Sequence, residues 1–125
     1  MIIGSVAHLE ASIQIEIKDR AGTLHLLPAV VDTGYNGHLT LPQSVINFHG
    51  LESVGKLRGM LADGTVVSMN TYIAEIQWFG TFRKIVVTEA EGGPLVGMAL
   101  LESSRITLDV IEGGQVIIES LEHRS

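Results

Sequence analysis

The 125-residue sequence contains no cysteine. That excludes a disulfide scaffold, a thiol nucleophile and every thiolate metal site. Positive charge is scarce, with 8 basic against 14 acidic residues and a formal charge of −6. No basic run exists, so the counterion-release term that drives nucleic-acid binding has little to act on, and an anionic membrane surface would repel the chain. The longest apolar stretch, Leu26 to Val31, has six residues and includes Pro28, far short of a membrane span. The opening MIIGSVAHLE lacks a basic segment followed by an apolar one, so no secretion signal is expected there. His8, His25, His38, His49 and His123 share no metal-ligand spacing. Ser103-Ser104 lacks the glycines of a nucleophile elbow, and Gly92-Gly93 and Gly113-Gly114 lack the lysine of a phosphate loop. The expectation is a cytoplasmic protein with no metal and no cofactor.

What is present is apolar and β-rich. Charged residues make up only 18% and mean hydropathy is +0.34. Some of that apolar surface should lie in a subunit interface. Apolar and polar residues alternate strictly from His8 to Lys18, which predicts one long half-buried strand. Asp19 to Gly22 reads as a turn, and Thr23 to Val31 as the partner strand, ending in a buried Val30-Val31. After a loop over 32–37 come a short strand at His38–Leu41 and a brief helix opened by Pro42 and closed by Gly50. Asp63-Gly64 predicts a hairpin between 56–61 and 65–70, with the second arm running on to Trp78. Strands are expected at 82–88, 95–96, 106–111 and 115–119, and a second helix at 98–104. About eight strands and two short helices make one mainly β domain over residues 1–125. Val30-Val31-Asp32-Thr33-Gly34 is faintly echoed by Pro94-Leu95-Val96-Gly97.

Four aspartates exist: Asp19, Asp32, Asp63 and Asp109. Asp19 and Asp63 lie in turns, where aspartate bonds its own backbone, and Asp109 reads as a polar strand position. Asp32 directly follows an apolar strand. A carboxylate there is costly unless it is hydrogen-bonded or protonated. An Asp-Thr-Gly triplet by itself also serves as an ordinary turn.

Residues 30–42, Val-Val-Asp-Thr-Gly-Tyr-Asn-Gly-His-Leu-Thr-Leu-Pro, resemble the active-site segment of retropepsin-like (clan AA) aspartic proteases, and more narrowly the small prokaryotic type. The hairpin Gly59–Met69 corresponds in position to that family's flap, and Leu95-Val96-Gly97-Met98-Ala99-Leu100-Leu101 to its apolar-apolar-glycine signature. The resemblance covers roughly residues 5 to 120. It implies an all-β, closed β-barrel of the acid-protease half type with one or two short helices. It also implies hydrolysis of peptide bonds. Such chemistry needs two carboxylates sharing one proton, one acting as base on water and the other as acid. With one Asp-Thr-Gly per chain, the second carboxylate must come from a second copy across a two-fold axis. On this reading Asp32 is catalytic, with Thr33 and Gly34 holding the pair. Tyr35, Asn36, the hairpin tip Ala62, Asp63, Gly64 and Thr65, and Val96 and Gly97 would contact a peptide or protein substrate. Tyr35 and Asn36 stand where the family usually has alanine and an acidic residue, the tip is poorer in glycine, and Met98 replaces a frequent arginine. A non-catalytic dimeric peptide-binding module of the same fold is the rival reading, and a β-barrel with a chance Asp-Thr-Gly is a third.

Overall fold

A computed structural model describes residues 1–122, so His123 and the end of the tail lie outside the described residues. The described residues form ten strands and two short helices. In chain order these are β1 (Ile2–Ala7), β2 (Glu10–Lys18), β3 (Leu24–Val31), β4 (Leu39–Leu41), α1 (Gln43–His49), β5 (Glu52–Met60), β6 (Val66–Trp78), β7 (Thr81–Glu89), β8 (Leu95–Val96), α2 (Met98–Leu101), β9 (Ser104–Leu108) and β10 (Gln115–Ser120). The chain is predominantly β, as expected. No helix among the described residues is long and apolar enough to cross a membrane.

The strand alternation does its expected work in β2, where Ile13, Ile15 and Ile17 are all buried. Their neighbours in the core are Leu39, Leu41, Ile76, Ile85, Val87, Val96, Leu100, Val116 and Ile118. The alternation over-extends the strand at its start, however. It runs on through His8 and Leu9, whereas the chain turns there and Ile2–Ala7 forms a separate strand that pairs with β10. Helix α1 has Pro42 at its N-cap and closes on Gly50, whose φ of 65° lets its N–H reach back to the last carbonyls. Phe48 on that helix is exposed. Helix α2 stops at Leu101, well short of Ser104, because Ser103 takes a left-handed φ of 65° and the chain enters β9. Strand β9 in turn ends at Leu108, which leaves Asp109 in the following loop. Val30 and Val31, expected to be buried, are only half-buried, and Ala29 before them is the one residue of β3 that is fully enclosed.

The strands join in one sheet in the order β5-β6-β7-β4-β8-β3-β2-β1-β10-β9, with a further pairing of β6 to β2. Two features of this order position the site. Strand β8 lies between β3 and β4, parallel to the first (Val30↔Leu95, Val31↔Val96) and antiparallel to the second. The two echoing segments are thus side by side. The β6–β2 pairing is short, Glu16↔Gln77 and Ile17↔Ile76, and the Lys18–Glu75 ion pair at 3.2 Å sits next to it.

Candidate active site

Strand β3 delivers Asp32 to a loop that the second signature segment holds in place. The Asp32 N–H donates to the Val96 carbonyl at 2.9 Å. In return the Gly97 N–H donates to His38 O at 2.9 Å, Met98 N–H to Tyr35 O at 2.7 Å and Ala99 N–H to Gly37 O at 3.1 Å. Four backbone bonds therefore tie residues 32–38 to residues 96–99, which are far away in sequence. Backbone groups that would otherwise be orphaned at the ends of β3, β4 and α2 are satisfied by one another.

Packing at this crossing leaves no room for a larger residue. Gly97 is buried, and a Cβ on it would overlap the Gly37 carbonyl oxygen and the Tyr35 ring. A Cβ on Gly37 would overlap the Tyr35 ring and hydroxyl. The Tyr35 side chain is thus the filler between two glycines. Its hydroxyl lies 3.3 Å from Thr88 Oγ1, to which it donates, and Thr88 is itself buried. This role for Tyr35 was not visible in the sequence, because Thr88 belongs to a strand whose neighbour is settled only by the topology.

Asp32 itself is half-buried, and its Oδ1 accepts the Gly34 N–H at 2.9 Å. Gly34 leaves that oxygen little space, since a Cβ there would sit 3.2 Å from it. Thr33, Gly34 and Asn36 are exposed. The site thus presents a carboxylate at the rim of the sheet, restrained by a backbone donor and reachable from outside. A carboxylate so placed can act as a base or an acid toward a group brought to it.

The structure joins Asp32, Thr33, Gly34, Tyr35, Asn36, Val96 and Gly97 in one loop pair. The hairpin tip Ala62, Asp63, Gly64 and Thr65 is a separate unit, exposed and bonded to itself. Leu61 N–H donates to Thr65 O at 2.7 Å, and Thr65 N–H to Asp63 Oδ1 at 2.9 Å. Hydrogen bonds from the Thr65 hydroxyl and N–H hold the Asp63 carboxyl below its ordinary range. The arm β5 is exposed nearly throughout, so the hairpin stands off the body of the sheet. Next to the loop pair, His38 is half-buried. Burial, and then the Arg83 guanidinium, hold its imidazole below the ordinary value, against an opposite pull from Glu102. Among the described residues no group of three or more His, Asp or Glu side chains is arranged to hold a metal ion. Compared with protein-family models, curated proteins and solved structures, the chain matches none.

Proposed function

We propose that the chain is one half of an aspartic endopeptidase of retropepsin-like fold, acting as a homodimer in the cytoplasm. Asp32 from each copy forms the pair. One carboxylate takes a proton from water as the oxygen attacks the peptide carbonyl, while the other gives its proton to the carbonyl oxygen. As the C–N bond breaks, the first carboxyl passes its proton to the departing amine and the second takes one back from a hydroxyl of the tetrahedral intermediate, so the pair again holds a single proton. Thr33 and Gly34 hold the pair, and the hairpin tip at 62–65 covers the peptide.

One observation carries this reading. Two of the three segments that carry the family resemblance are bound together by the four backbone bonds between 32–38 and 96–99. A chance Asp-Thr-Gly would not need a glycine at position 97 to let a second segment cross it. The run of pairings from β2 through β3, β8, β4, β7 and β6 back to β2 supports the closed barrel. The exposed, self-bonded hairpin supports a mobile cover.

The test is Asp32→Asn, nearly isosteric and unable to act as a base. Digestion of a peptide library should fall by a factor of at least about 10², while the sedimentation profile and circular dichroism stay those of the wild type. Wild-type levels of cleavage in the variant would refute the assignment. A wild-type dimer that retains peptides without cutting them would favour the non-catalytic module instead.

A further inference from the structure

The connection between β1 and β2 carries two liabilities at once. Ala7 pairs with Glu10, leaving His8 and Leu9 as a two-residue turn, and both have positive φ, 52° and 62°. Such a mirror-image turn suits asparagine and glycine, and the Cβ of a leucine disfavours it. Leu9 is also the most exposed large apolar residue described, at 87%. Asparagine-glycine would remove both problems. A strained residue that also displays an unsheltered side chain is the kind of outlier from which function is inferred.

The location suggests what shelters it. Strand β2 pairs with β3 in the register Ser12↔Val30, and continuing that register by two residues brings Glu10 opposite Asp32. The turn therefore flanks the Asp32 loop. The other flank of that loop is filled by the chain's own buried Val96 and Gly97. On its far side the turn is bonded to the β9–β10 loop. His8 N–H donates to Glu112 Oε2 at 3.0 Å and Gly113 N–H to Val6 O at 2.8 Å. In that loop Val110 and Ile111 are 61% and 69% exposed.

We infer that Leu9, Val110 and Ile111 form a contact surface for a second copy of this chain, beside the two-fold axis. The inference rests on the shared Asp32 pair proposed above, because an axis between the two Asp32 residues brings their flanks closest to the partner. The contact supplies the burial that the single chain withholds. It also places the turn where it steers the spacing of the two carboxylates. Glu10, Asp109 and Glu112 surround the surface, so the copies repel at low ionic strength and salt strengthens their association.

Two variants compared by sedimentation equilibrium and thermal unfolding test this. His8→Asn relaxes the turn and keeps the leucine. It should raise thermal stability and leave the dissociation constant unchanged. Leu9→Asn relaxes the same turn and removes the apolar contact twice per dimer, so association should weaken by about a hundredfold. A wild-type dimer whose association survives Leu9→Asn unchanged overturns this inference and leaves the shared pair standing. A His8→Asn chain no more stable than the wild type removes the strain and overturns it as well. A wild-type chain that is monomeric at every concentration overturns the shared pair, and this contact with it.

Discussion

Gly97→Ala tests the crossing of the two loops without reference to any activity. At Gly97 the backbone is extended, φ −102° and ψ 177°, which alanine adopts freely, so the effect is purely one of space. The new methyl would overlap the Gly37 carbonyl oxygen and the Tyr35 ring, and would stand 2.8 Å from the Tyr35 carbonyl oxygen. Those carbonyls belong to the loop that Met98 and Ala99 bond at 2.7 and 3.1 Å. Moving the loop away relieves the overlap only by lengthening those bonds. Overpacking costs about 1–3 kcal/mol, and two weakened backbone bonds add about 1–2 kcal/mol. The sum, about 2–5 kcal/mol, is a large part of a domain's total stability. For 125 residues it corresponds to a fall in Tm of roughly 8–20 °C. Urea unfolding of the wild type, Gly97→Ala, Tyr35→Ala and the double variant would measure it. Removing the Tyr35 ring relieves one of the three overlaps, so the double variant should recover part of the loss and show coupling. A Gly97→Ala chain within 0.5 kcal/mol of the wild type (roughly the noise of surface substitutions) would refute the close crossing.

His38 makes stability depend on pH. Its folded-state imidazole is held below the ordinary value of 6.5, so its contribution is complete above pH 6.5 and is lost as pH falls through the folded value. His38→Gln should flatten that part of the acid loss in urea titrations between pH 7.5 and 4.5, and an unchanged slope would show that His38 is not its source. Asp63 has the carboxylate form of the same behaviour. Its tip bonds persist above about pH 3.8 and loosen as pH falls through its lowered value, so amide exchange at Thr65 should quicken only in stronger acid.

Local chemistry in the sequence carried much of the fold. Asp63-Gly64, Pro42 with Gly50, and the isoleucines of β2 each specify their element from a few neighbouring residues. Strand β1 was illegible for a physical reason. It contains Gly4, where a Cβ would overlap the Ser12 carbonyl oxygen, and most of its ladder is made with β10, more than a hundred residues away. Its strand character thus comes from partners, not propensity. Leu9 misled because it keeps apolar parity with β2 while lying in the turn before it. At the site, Asp32 and the Val96-Gly97 pair stood out as motifs. The part played by Tyr35 did not, since it depends on how Gly37, Gly97 and Thr88 converge.

The order of the strands also bears on how the chain acquires its structure. The β1–β2, β2–β3, β5–β6, β6–β7 and β9–β10 hairpins can each zip from a local turn. By contrast, β3 with β8 and β2 with β6 join segments about half the chain apart, and β1 with β10 joins segments separated by nearly all of it. Closing such loops costs entropy before any contact rewards it, so folding belongs in the range of milliseconds to seconds. During synthesis β1 and β2 emerge well before β10, and the β1 edge that β10 covers is meanwhile open to other chains. The two-residue β2–β6 seam should be the last to close. In the finished protein it should be the first to breathe, and fast amide exchange at Ile17 and Ile76 would mark it.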